Sequence, residues 1–202
     1  MIDLNKLFNL YYGWWKNIDK FILFLILFLF SLGLFFSLVS TSIIASDKLN
    51  TNTYYFFIKH LLFFILGVFI LITFSVIDKR RLFQISKFLF VIFFIFLALV
   101  PFIGIEVKGS MRWIDLPLTP RFQPIEILKP FLIIMISTIF TLNNQKHLYF
   151  KYLFSFLIIF PVILFLVSQP DLGQTILIVL TWFSLIFVSG INLLYFLGFF
   201  IL

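Results

Sequence analysis

The length and purity of its apolar runs constrain this chain more than any other feature. Residues 21–30 read FILFLILFLF, without a single polar side chain. A hydrocarbon core about 30 Å thick is crossed by a helix of roughly 20 apolar residues, and runs of that kind recur along the chain with short polar breaks between them. A membrane β-strand would alternate apolar and polar side chains over about 10 residues. No such alternation occurs, so the spanning elements are helices. Composition points the same way. The chain is 63% hydrophobic and 11% charged, whereas soluble domains average about 45–50% and about 25%. No soluble fold of 202 residues could bury so much apolar surface. The expected fold class is all-α, a polytopic transmembrane helical bundle.

The periodicity predicts helices over about 21–45, 56–77, 87–103, 124–142, 152–168 and 172–189, with a further apolar run from Asn192. That makes six complete helices plus the start of a seventh. Lysines and arginines sort unevenly between alternate breaks, nine on the side of the N-terminus and six on the other. By the positive-inside rule this places the N-terminus in the cytoplasm. Lys108, Arg112, Arg121 and Lys129 then fall at the outer side, against the rule. Cations held there either snorkel to lipid phosphates or line an anion site.

Several chemistries are excluded. With no cysteine there is no disulfide, thiolate nucleophile or cysteine-ligated zinc. His60 and His147 stand far apart, without metal-ligand spacing. The net charge of +7 is scattered over loops with no basic run, which argues against nucleic acid and for anchoring at membrane interfaces. The 33 phenylalanines match an AT-rich genome and are not read as function. There is no nucleophile elbow, zinc-protease helix, phosphate-binding loop or dinucleotide turn.

The chemistry concentrates in two stretches. The first is KGSMRWID (108–115), followed by RFQPIEILKP (121–130). Pro124 suits the first turn of a helix, where a missing N–H costs nothing. Gln123, Glu126 and Lys129 follow at three-residue steps and share roughly one side of that helix. Glu126 and Lys129 can pair. Pro130 leaves the carbonyl of Glu126 without its helical partner, which in a membrane is tolerable only against protein or a wet cavity. Together these residues point to a polar, outward-facing cavity. The second stretch is SQPDLGQT (168–175), where Asp171 and Gln174 have the spacing of a capping box opening the sixth helix.

These motifs, in this order and at these helix ends, resemble the SEDS family of polytopic cell-wall proteins, the FtsW/RodA family. Trp14-Trp15 before the first helix and the IKHL stretch at 58–61 resemble its alphaproteobacterial FtsW branch. The resemblance covers essentially the whole chain. It implies a peptidoglycan glycosyltransferase polymerising lipid II, the undecaprenyl-diphosphate-linked disaccharide pentapeptide, for septal wall synthesis. Implied partners are lipid II, a class B transpeptidase and other division proteins. The implied location is the bacterial inner membrane, at the division septum. Carried over by position, the substrate-binding residues are Lys59, Arg112, Arg121, Gln123, Glu126, Lys129 and Asp171. No catalytic residue is assigned within the chain, because the family's essential aspartate follows the seventh helix, beyond Leu202. Residues 1–202 are therefore expected to be the N-terminal part of a single SEDS-type transmembrane domain. The cofactor is left open, a divalent cation with the diphosphate being the candidate. Two departures stand out. Ile125 replaces a small serine common in the family, and Lys59 stands where an arginine would offer a bidentate fork. The alternative functions are a lipid II flippase and a structural division subunit that recruits the transpeptidase.

Overall fold

The computed structural model describes residues 12–49, 54–107, 109–117, 120–141 and 148–190, with backbone alone for 40–49, 55, 148 and 149. Lys108, the 143–147 break and the apolar run from Asn192 lie outside the described residues. The chain divides into two compact units, Met1–Asp78 and Lys79–Leu202.

In the first unit a short helical stretch, 12–17, precedes α1 (Lys20–Leu49), which is followed by α2 (Tyr55–Val76). Asp19 caps α1, its Oδ1 accepting from the backbone N–H groups of Phe21 (2.9 Å) and Ile22 (3.1 Å). The helices run antiparallel, as their contacts show. Trp14 Nε1 donates to Ser75 Oγ at one end, Phe30 meets Phe64 edge-on in the middle, and Ser37 Oγ and His60 Nδ1 lie 2.8 Å apart at the other end. Gly67 lets Phe30 pack close, since a Cβ there would sit 3.3 Å from the ring. The backbone of α1 stays helical through Asp47 and Lys48, which the polar pattern assigns to a loop.

The second unit holds α3 (Lys79–Ile103), strands β1 (Ile105–Val107) and β2 (Ser110–Trp113), α4 (Pro124–Thr141), α5 (Leu148–Ser168) and α6 (Leu172–Val188). α3 begins about two turns earlier than its apolar run predicts. Lys79, Arg80 and Arg81 are good helix formers, and their long stems let the charges reach the interface while the backbone stays helical. Hydropathy registers the charge and misses the propensity.

α4 is the centre of this unit, packing against α3, α5 and α6. Its inward stripe is Ile125, Leu128, Leu132 and Ile136, at helical three- and four-residue steps. This stripe meets Leu97 of α3, Ile159, Val162 and Leu166 of α5, and Ile178 of α6. Ile125, the departure from the family's serine, is 1% exposed and belongs to this core. Outside the core, apolar side chains face outward along every helix. Five helices, beginning at Lys20, Phe56, Lys79, Pro124 and Phe150, are long and apolar enough to cross a membrane, and Leu172–Val188 is a shorter apolar helix. Hydrocarbon is the environment in which such surfaces carry no penalty.

The segment between α3 and α4, expected as a polar loop, folds into a small antiparallel sheet. Ile105 pairs with Trp113, Glu106 with Met111 and Val107 with Ser110, with a bulge after Ile105. Gly109, at φ 82°, is in the left-handed region that glycine adopts without steric cost. A second closure follows: Ile114 and Phe122 exchange both backbone hydrogen bonds, at 3.0 and 3.2 Å. Ile114 is buried and the Phe122 ring stands edge-on against Phe96, so the segment is pinned to α3.

Candidate functional site

Three local devices bring the polar side chains together. β2 carries Arg112 toward the α5–α6 turn. The start of α4 presents Gln123, Glu126 and Lys129 on one side, and the start of α6 presents Asp171 and Gln174.

The α5–α6 turn is only three residues long. Asp171 N–H reaches back to the Leu166 carbonyl at 3.0 Å, and Pro170 is held at φ 26°, outside the range its ring prefers. Bonds on both sides hold this strained turn. Arg112 Nη2 donates to the Pro170 carbonyl (2.9 Å), and Gln169, 4% exposed, donates from Nε2 to the Leu97 carbonyl (3.2 Å). That carbonyl is free because Pro101, four residues on, has no N–H to offer. A buried glutamine thus repairs the gap that a helical proline opens.

Asp171 is both cap and site residue. Its Oδ1 accepts from the Gln174 N–H at 3.4 Å and lies 3.4 Å from Arg112 Nη1, while its Oδ2 accepts from Gln123 Nε2 at 2.9 Å. At 3% exposure the carboxylate is buried with three partners. The capping box forms only by half, because the Gln174 side chain turns elsewhere. Gln174 Nε2 donates to Glu126 Oε1 (2.6 Å), and Lys129 Nζ donates to Gln174 Oε1 (2.8 Å). Lys129 Nζ also lies 2.8 Å from Glu126 Oε2, the pair expected from their spacing. Five of the seven residues carried over by resemblance, Arg112, Gln123, Glu126, Lys129 and Asp171, therefore join one polar cluster across β2, α4 and α6.

Arg121 does not join it by any described contact. Arg121 pairs across its own loop with Asp115, Nε to Oδ2 at 2.8 Å, and its side chain is 63% exposed. The closure at Ile114 and Phe122 puts these two charges face to face, a pairing hidden from any helix-spacing argument. Lys59 lies exposed on α2, in the first unit. A recess of about 280 Å³ between the hairpin and the α5–α6 turn is lined by Glu106, Ser110, Ser168 and Gln169 among others, with no cation of the described residues in its lining. Lys129 instead heads a narrow apolar groove between α4, α5 and α6, lined by Ile133, Ile159, Leu177 and Trp182. Gln174 was not among the expected site residues. Its signal, a glutamine one turn into α6, is also that of an ordinary cap.

Residues 20–202 match the cell cycle protein family FtsW/RodA/SpoVE. The chain belongs to this family. It is 28% identical to the probable peptidoglycan glycosyltransferase FtsW of Caulobacter vibrioides over 92% of this chain and 47% of that one. To the protein of the same name from Pasteurella multocida it is 36% identical, over 60% of this chain and 31% of that one. Among solved structures it is similar to a chain from a peptidoglycan synthase complex that coordinates polymerization and crosslinking, with a TM-score of 0.73 and 25% identity over 91% of this chain and 52% of that one. The rod shape determining protein RodA of Thermus thermophilus shares the fold at a TM-score of 0.61, over 82% of this chain. The chain thus spans about half or less of the length of these FtsW relatives. As an FtsW/RodA family member with several apolar helices, it is a multi-pass membrane protein.

Proposed function

We propose that this chain is the N-terminal part of a single SEDS-type transmembrane domain that polymerises lipid II into glycan strands. In that reaction a hydroxyl oxygen of one disaccharide attacks the anomeric carbon of another. The bond to the lipid diphosphate breaks, its electron pair leaves on the diphosphate, and the hydroxyl proton passes to a base. Fixed cations at the place where this negative charge develops lower the barrier. Arg112 and Lys129, each oriented by buried or bridged partners, are the groups that would meet the diphosphate. Gln123, Glu126 and Asp171 would hold them, Arg121 would act from outside the cluster, and Lys59 would be a further substrate-binding cation.

The observation that supports this reading is the arrangement of the two carboxylates. Asp171 is taken up by Arg112, Gln123 and the α6 cap, and Glu126 by Lys129 and Gln174. Neither is free to receive the acceptor's proton, which suits a half-site that binds the leaving group while the base comes from the part that follows the seventh helix. Among the described residues no three carboxylate or histidine groups come together, and a divalent cation here would be held chiefly by the diphosphate itself. No step is routed through one. In this reading the N-terminus is cytoplasmic, the site faces outward from the inner membrane at the septum, and a class B transpeptidase of the division machinery is the partner.

The test joins this chain to the C-terminal part of the Caulobacter relative and assays polymerisation of purified lipid II. The joined protein should make glycan strands, the 202-residue chain alone should make none, and Lys129→Ala should lower the restored rate about 100-fold, as loss of a preorganised transition-state contact does. Glycan synthesis by the chain alone would place the base in this half. Lipid II translocation without polymerisation by the joined protein would replace the polymerase reading with the flippase.

A further inference from the structure

Glu126, Gln174 and Lys129 form a closed ring. Glu126 Oε1 accepts from Gln174 Nε2, Gln174 Oε1 accepts from Lys129 Nζ, and Lys129 Nζ returns to Glu126 Oε2, at 2.6, 2.8 and 2.8 Å. Charge leaves the amide one orientation. Turned over, it would set its carbonyl against the carboxylate and its N–H groups against the ammonium. The backbone of Gln174 is fixed as well, because its N–H donates to the buried Asp171.

The ring has a consequence for Lys129. An ammonium has three N–H donors. Two are committed to Glu126 and Gln174, and two committed bonds fix the direction of the third. A lone lysine on its four-carbon stem would sample many directions. The Lys129 side chain is only 17% exposed, at the head of the apolar groove, so a single directed N–H remains for a ligand.

Resting on the polymerase reading, we propose that Gln174 is a positioning residue: it bridges α4 and α6 so that Lys129 offers one aimed donor to the diphosphate oxygen on which charge develops. It touches the lysine and not the substrate, so its effect lies on the rate more than on affinity. Glu126 alone, one turn away on the same helix, could pair with Lys129 but would leave it free to swing about that single contact.

The test uses the joined full-length protein and lipid II. Gln174→Met keeps the volume and removes both amide bonds. It should lower kcat about 10- to 50-fold, change KM less than threefold and leave the unfolding midpoint in detergent nearly unchanged. Gln174→Glu, which sets a second carboxylate against Glu126, should be at least as impaired. The exchange Glu126→Gln with Gln174→Glu restores one carboxylate, one amide and one ammonium to the ring, and should recover at least tenfold over Gln174→Glu. A readout independent of turnover is acylation of Lys129 by a water-soluble reagent, which should speed up severalfold in Gln174→Met. An unchanged kcat in Gln174→Met, or an exchange variant no better than Gln174→Glu, would overturn the positioning role while leaving the polymerase reading intact. If the unaltered joined protein makes no glycan, the polymerase reading falls and the role with it, whereas the acylation rate still reports whether the ring orients Lys129.

Discussion

Asp171 shows how a single residue serves fold and site at once. Its carboxylate starts α6, holds Gln123 just ahead of α4 and faces Arg112 of β2. Removing it strands three donors. Asp171→Ala should cost about 2–3 kcal/mol, combining a lost cap of about 1 kcal/mol with charge-assisted bonds discounted because Arg112 is a third exposed. Asp171→Asn keeps an acceptor for the cap and should cost about half as much. Unfolding midpoints in detergent would decide it, and an alanine variant as stable as wild type would mean these contacts contribute nothing. The guanidinium of Arg112 keeps a buried Nε without a partner, which marks it as the cluster's least satisfied cation. Aspartate followed by Gln174 suggested only the cap. The partners on β2 and just ahead of α4 are dozens of residues away, and spacing cannot see them.

At the scale of elements, prolines decide where helices are joined. Pro101 inside α3 frees the Leu97 carbonyl, and in hydrocarbon a free carbonyl costs several kcal/mol. Gln169 supplies the missing donor and in doing so nails the α5–α6 turn to α3. Gln169→Leu should therefore destabilise by about 1–3 kcal/mol. In a Pro101→Ala background the same change should cost about 1 kcal/mol less, because the substituted alanine brings a backbone N–H that can donate to the Leu97 carbonyl itself. Additive effects in that double-mutant cycle would disprove the repair. The hairpin, by contrast, was not legible. Strands of three and four residues around Gly109 are too short for a period-2 pattern to register, and the chain between α3 and α4 reads simply as polar.

For the whole molecule, orientation follows from which end of α3 carries charge. Lys79, Arg80 and Arg81 open the helix, and about 37 Å of helix separates them from the hairpin end. With a cytoplasmic N-terminus, a cysteine at Ser110 should react with a membrane-impermeant maleimide in intact cells, and one at Arg80 only after permeabilisation. The reverse pattern would put the polar cluster on the cytoplasmic face and end the reading of an outward site.

Membrane residence, helix number and approximate helix positions among the described elements were determined by sequence alone. The reason is physical: in hydrocarbon the backbone must satisfy itself within each span, so apolar run length translates directly into helices. The Glu126–Lys129 pair and the capping role of Asp171 were legible too, being local contacts one helical turn apart. Tertiary structure alone decided the rest. It tied Arg121 to Asp115 instead of to the cluster, set Gln169 under the Leu97 carbonyl, and turned Gln174 from a cap into a bridge. The first follows from the closure of Ile114 on Phe122, and the other two depend on which helix end lies beside which, as set by the packing of α4 against α3, α5 and α6, where the buried stripe from Ile125 to Ile136 fixes the rotation of α4 and with it the side on which Glu126 and Lys129 meet their partners.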